Sequence, residues 1–310
     1  MSPRARALLH VPALVGLSVL LVFWLVRLAP GDATDALLPA DASAAARAAA
    51  RAAWGVDAPL PVQVGRWLLA AAQGELGVSV RSGRPVAEHL AAALPPSLLL
   101  GGAALAGGVL GGLGLAGVQA ARPGGGWDRA LSAVGLGLGA LPSAWLALLL
   151  VAGCGVRARL LPLSGMVDPL SLPGRPWPVV AADVAAHLVL PATTLGLGLA
   201  ITVARFTRAE LLDQEGRPWV EALRARGFSA SAILWRHRLP AALGPVRALV
   251  GLALPGLVGG AAVVESVFAW PGMGRLLVDA ALAQDLPVLV ASVALVALAV
   301  GLGRAAAAAP

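Results

Sequence analysis

The sequence predicts an all-α protein that crosses a membrane about six times. Three observations predict it. The 310 residues are 58% hydrophobic and only 13% charged. Mean hydropathy is +0.83. Apolar runs of about twenty residues, the length that crosses a bilayer as a helix, recur along the chain. A net charge of +7 does not point to nucleic acid, because the arginines are scattered between apolar spans rather than gathered into a stripe. Basic membrane proteins carry such charge in their cytoplasmic loops.

All 23 basic residues are arginine, and the chain has no lysine, asparagine or tyrosine. This joint depletion of AT-rich codons reads as a GC-rich bacterial genome. Without lysine there is no Walker A loop and no lysine Schiff base. The single cysteine, Cys154, excludes an internal disulfide and a cysteine metal cluster and reads as a small buried or lipid-facing side chain.

The first span is expected over about Leu8–Leu28, after Arg4 and Arg6. It is longer than a signal-peptide apolar core and is read as a retained helix. Residues 30–94 form the main polar insertion. Its alanine runs with Arg47 and Arg51 suggest a short helix, and residues 55–80 read as a turn, an amphipathic helix and a glycine-punctuated loop. Span two, about Pro95–Ala120, carries Gly107xxxGly111 and Gly108xxxGly112. Small residues four apart let helices approach closely in lipid, although a compositional origin is nearly as good an account. Spans three to six are expected at about Ala130–Ala152, His187–Ala204, Pro240–Val264 (interrupted at Pro255-Gly256) and Pro287–Leu302. The chain thus divides into a first helix (1–29), an extracytoplasmic loop region (30–94) and a five-helix core (95–310).

Arginine placement sets the expected orientation. With a cytoplasmic N-terminus, thirteen arginines fall inside and five in short outer segments, the five in the long 30–94 loop carrying little weight. Both termini and residues 205–240 are then cytoplasmic.

The densest charge lies in Glu221–Pro240, EALRARGFSASAILWRHRLP. Pro218 suits a helix start. Gly227 suits a stop through positive φ, and Ser229 suits the cap of a second helix. The expected result is two short amphipathic helices at a bend, fit for a groove in a soluble partner or for resting on anionic lipid.

The spacing Glu221-Ala222-Leu223, three residues, Gly227, nine residues, His237, one residue, Leu239-Pro240 resembles the EAA signature of ABC importer permeases, with Leu223 and His237 as departures. The stretches LAPGDATDALL, GELGVSV, HLVLPATTLGLGLAITVARFTRAELL and VVESVFAWPGMGRLLVDAALAQDLPV are similar to the dipeptide/oligopeptide/nickel permease family. The resemblance implies a type I ABC importer permease fold and a multi-pass subunit of the bacterial inner membrane. It implies a translocation path for peptides worked by alternating access, with nickel-chelate or glutathione as alternative cargo. It implies as partners a homologous second permease, two ATP-binding subunits that hold ATP and Mg, and an extracytoplasmic solute-binding protein, besides membrane lipid. Glu221, Ala222, Leu223, Gly227, His237, Leu239 and Pro240 would form the ATPase-coupling loop. Glu265, Trp270, Pro271, Gly272 and Gly274 stand as gate or outer-face residues, Glu265 otherwise being an interface carboxylate.

No catalytic or metal-ligating set is expected. The histidines (His10, His89, His187, His237) are dispersed, and no HExxH or GxSxG occurs. GLGLGA at 135–140 lies within an apolar span with no preceding strand. The rival reading is an ion-coupled secondary transporter. Such proteins place ionisable groups near the bilayer midplane, and the apolar centres of these spans have none.

Overall fold

A computed structural model of the chain describes residues 3–28, 43, 45, 58–168 and 174–307. The expected alanine-rich helix with Arg47 and Arg51 lies outside these residues. The described residues are helical, joined by turns, with one isolated β-bridge between Val78 and Pro85. They fall in two compact units, one within Met1–Ser97 and Pro271–Pro310, the other within Leu98–Trp270.

The first unit contains α1 (Pro3–Leu28), α2 (Leu60–Ala72), the start of α3 (Val86–Ala121), α10 (Met273–Leu282) and α11 (Leu286–Ala307). One apolar cluster joins Val19, Val22 and Phe23 of α1 to Val64 of α2 and to Val290 and Ala294 of α11. A second joins Val86, Leu90 and Ala93 of α3 to Met273, Ala280, Val288 and Ala291. The loop before α3 turns on Gly74, Gly77 and Gly83, at φ 87°, 85° and 67°, which a side chain would resist. The loop is fastened by Asp285, only 3% exposed and one residue before α11. Its carboxylate accepts from Ser79 Oγ at 2.5 Å and from the backbone N–H of Val80 and Arg81 at 3.2 and 3.3 Å.

The second unit contains the rest of α3, α4 (Gly126–Gly139), α5 (Ser143–Leu150), α6 (Trp177–Asp213), α7 (Pro218–Ala225), α8 (Ala230–Ala232) and α9 (Leu243–Val267). A π-helical turn, Val151–Arg157, extends α5, and another, Ile233–Arg238, extends α8. Helices α3 and α6 touch through backbone. A Cβ at Gly108 would lie 2.9 Å from the Gly196 carbonyl oxygen, one at Gly112 2.6 Å from that of Ala200, and one at Gly196 2.6 Å from that of Ala104. Gly107 and Gly111 have nothing within 4 Å. One of the two glycine registers in α3 is therefore a packing seam and the other is not.

Among the described residues, four helices are long and apolar enough to cross a membrane: Leu9–Leu28, Val86–Ala121, Trp177–Asp213 and Leu286–Ala305. The third expected span is corrected. It is α4 and α5, bent by 111° at residues 140–142, where Pro142 starts the second helix; the pair counts as a fifth span if taken together. The fifth expected span corresponds to α9, 25 residues or about 37 Å. It starts at Leu243 rather than Pro240 and runs unbroken through Pro255-Gly256. Helix α6 extends well beyond His187–Ala204 at both ends. At 37 residues, or about 55 Å, it exceeds the hydrocarbon thickness of about 30 Å and carries Arg205 and Arg208 past the apolar run.

Candidate functional site: the charged element between α6 and α9

The two-helix element begins where α6 ends. Gly216 at φ 77° turns the chain, and Pro218 occupies the first turn of α7, where its missing N–H costs nothing. The end of α7 is a Schellman motif. The Gly227 N–H donates to the Arg224 carbonyl at 2.9 Å and the Phe228 N–H to that of Leu223 at 3.2 Å, with Gly227 at φ 83°. Ser229 then caps α8, its hydroxyl accepting from the Ala232 N–H at 3.2 Å. The bend expected at Gly227 is present, with its local chemistry.

The inner side of the element is apolar. Val220 and Ile233 are buried. Leu234 packs with Leu211 of α6, Ala116 and Ala120 of α3, and Ala242. A Cβ at Gly117 would collide with the Trp235 indole. Of the residues that carry the signature, Glu221, Ala222, Gly227 and Pro240 are exposed, and Leu223, His237 and Leu239 are half-buried. The His237 ring meets Phe228 edge-on at 5.4 Å between centroids. Trp219, Phe228 and Trp235 are each more than a third exposed. Large apolar rings flanked by arginines on an exposed surface are suited to a protein groove.

Charges order the inner side, and sequence reasoning missed these contacts. Glu215, just beyond α6, accepts from Arg224 of α7 and pairs with Arg238 of the π-helical turn. Arg238, 5% exposed, also donates to the Leu211 carbonyl of α6. Burial pushes the Glu215 carboxyl up, but the Arg224 hydrogen bond and the Arg238 charge outweigh it and hold the group below the usual glutamate range. On α4, Asp128, 3% exposed, accepts a bidentate pair from Arg208 Nε and Nη2 of α6 at 2.8 and 2.7 Å. It also accepts from the Gly124 N–H at 2.8 Å. Arg208 lies 80 residues from Asp128, and no local pattern announces such a pair.

The expected gate or outer-face residues divide between the units. In the second, Glu265 and Trp270 are fully buried, and the Trp270 N–H donates to the Glu265 carbonyl at 2.8 Å. Glu265 lies in the last turn of α9 and has its side chain enclosed by the protein. Phe268 and Trp270 sit in a cluster with Leu100, Ala104, Ala147 and Leu190, against which Cys154 packs. In the first unit, Pro271 is exposed, Gly272 precedes α10 as its cap, and Gly274 lies in its first turn. The second unit also holds a cavity of about 390 Å³ at the α4–α5 bend, lined by Leu138, Gly139, Ser143, Thr194, Gly198 and Thr202, among others.

Comparison with known proteins gives the context. A family model described as "Binding-protein-dependent transport system inner membrane component" matches residues 108–308. The chain is 33% identical over 303 residues to the oligopeptide transport system permease protein AppB of Bacillus subtilis, covering 96% of this chain and 93% of that protein. It is 35% identical to the glutathione transport system permease proteins GsiC of Pectobacterium atrosepticum and Escherichia coli K12, covering 94% of this chain and 90% of each of them.

Proposed function

Because the chain belongs to the family of binding-protein-dependent transport system inner membrane components, we propose that residues 205–240 are the element through which it engages ATP-hydrolysing subunits. The chain is a multi-pass permease subunit of an ABC importer. An ion-coupled secondary transporter is a different class and is set aside. The observation that carries the coupling reading is the two-helix element itself. Its apolar side is packed on the ends of α3 and α6, while Trp219, Glu221, Ala222 and Arg226 stay exposed around a Schellman turn.

The cargo class is peptides, glutathione among them, which the relatives' names support; nothing favours a nickel chelate. The assembly comprises a second homologous permease, two ATP-binding subunits that carry ATP and Mg, and an extracytoplasmic binding protein. Both termini are cytoplasmic, as the arginine asymmetry supports, and residues 30–94 contribute to the docking surface for the binding protein. The cavity at the α4–α5 bend offers small side chains and hydroxyls, fit to let a peptide pass without binding it tightly.

The test is a cross-link. Trp219→Cys, in a background with Cys154→Ala, should form a disulfide-length cross-link to an ATP-binding subunit in the assembled importer, and Leu282→Cys should not. Failure of Trp219→Cys to cross-link while the importer transports would remove the coupling role. Cysteines at Gly83 and Gly125, tested singly in the same background, should react with an impermeant thiol reagent from opposite faces. Same-sided labelling would overturn the orientation.

A further inference from the structure

We propose that Glu215 is a clasp that makes α7 and the following π-helical turn one body with the end of α6, so that a push received by the element reaches the membrane helix instead of being absorbed at the bend. The proposal rests on the coupling reading above and names the positioning residue on which transmission depends.

Leu234 packs on Leu211 of α6, but that apolar contact is non-directional and ties the π-helical turn rather than α7. Between α6 and α7 lie only Gln214, Glu215, Gly216 and Arg217, with Gly216 in the left-handed region. A glycine hinge beside an eight-residue helix is compliant unless something crosses it. Glu215 crosses it. The carboxylate takes Arg224 from the last turn of α7 and Arg238 from the π-helical turn. Arg238 reaches back to the Leu211 carbonyl, closing a ring of contacts onto α6. A second strap, Arg217 to Asp213, spans the same hinge but lies at the surface, where an i,i+4 pair contributes little. The Arg238 side chain is almost fully buried, so its contacts are fixed in geometry in a way that surface pairs are not. A π-helical turn places one extra residue in the helix, and in Ile233–Arg238 that turn holds both buried Leu234 and buried Arg238.

The experiment places nitroxide labels at Ala209→Cys on α6 and Ala225→Cys at the end of α7, in the full importer in nanodiscs, with Cys154→Ala. The wild-type distance distribution is expected to be single and narrow. Glu215→Gln keeps the shape and removes the charge. It should broaden the distribution at least two-fold while the ATP-binding subunits still co-purify. The importer should hydrolyse ATP within about two-fold of the wild-type rate. Accumulation in proteoliposomes of tetra-alanine or glutathione, whichever the wild type takes up, should fall about ten-fold. Glu215→Asp, which retains the charge, should restore part of both the narrow distance and the uptake, which a purely steric role would not predict. An unchanged distance distribution in Glu215→Gln overturns the clasp. A broadened distribution with wild-type uptake per ATP overturns its role in transmission. Loss of the Trp219→Cys cross-link in the otherwise wild-type importer is a separate result. It overturns the coupling reading and, with it, the transmission step.

Discussion

Two carboxylates each hold a loop in place, and they do it in opposite ways. Asp285, in the first unit, is buried and takes a hydroxyl and two backbone N–H groups. Glu215, in the second, is about half exposed and takes two guanidinium groups. Neutral donors aimed at a buried acid fix one geometry, because each donor left unpaired keeps its full desolvation cost. Charged donors at a water-facing acid are worth less at rest and are screened by salt, but they tolerate rearrangement. The anchored loop before α3 is thus held as a fixed shape, whereas the element after α6 is held by bonds that salt and pH can loosen. The Asp128–Arg208 pair lies between the two cases, ionic but buried on the acid's side.

That comparison can be broken most forcefully at Asp128. Asp128→Ala leaves Arg208 half-buried without its partner, and breaking a buried pair costs about 3–5 kcal/mol. The thermal midpoint of the nanodisc-embedded chain should fall more than for Asp285→Ala or Gly227→Val. A fall no larger than that of a surface substitution would show the pair to be water-exposed in practice.

Asp285→Ala comes next. It removes the carboxylate that accepts from the Val288 N–H at 3.5 Å as the N-terminal cap of α11, about 1 kcal/mol, and strands the Ser79 hydroxyl, about 1–3 kcal/mol. Amide exchange should quicken over residues 78–85 and at the start of α11. Unchanged protection there would mean that the glycine turns alone hold the loop.

Gly227→Val forces a β-branched residue to φ 83°, a strain of about 1–3 kcal/mol. No neighbouring atom lies within 4 Å of the added Cβ, so the cost is backbone strain and not collision. Membrane insertion should survive, while substrate-stimulated ATP hydrolysis and subunit assembly fall. Full transport by this variant would reduce the element to a solvated basic loop.

The smallest effect is the pH and salt response of Glu215. Its folded-state value is lowered, so its stabilisation is complete above the ordinary glutamate range and is lost as pH falls through the lowered value. Raising salt near neutral pH should loosen the 209–225 distance slightly and leave residues 78–85 untouched, sharpening the contrast between the two anchorages. Equal salt response in both loops would erase it.

What the sequence made legible follows the range of the interaction. The Gly227 turn and the Ser229 cap are visible because a Schellman turn and an N-cap are each complete within a few residues. The helical, membrane-spanning character is visible because hydropathy accumulates over twenty residues. The bend at residues 140–142 is harder to see, because the apolar run continues across it and only Pro142 marks it. Pro255-Gly256 misleads in the other direction. Membrane helices tolerate such pairs when neighbours satisfy the freed backbone groups, and the α9 backbone stays helical there. Glu215, Asp128 and Asp285 were not singled out from sequence. Their side-chain partners lie nine to more than two hundred residues away, and an isolated carboxylate near a helix end looks like any other there.

The glycine seam between α3 and α6 bears on how the protein is built into its membrane. The contact at Gly108, Gly112 and Gly196 sets glycine against backbone and against only two side chains, Leu199 and the χ1-stiff Val203, so forming it freezes few rotamers. Most helix pairings in lipid must immobilise long side chains before dispersion contacts compensate for it. A seam without that toll can close as soon as both helices are threaded, ahead of any pairing that waits on ordered side chains. It would give the nascent chain an early nucleus on which the hinge residues and the charged element are later laid. Gly112→Leu should then appear first as a defect of biogenesis, with protein degraded during insertion, rather than as an impaired transporter.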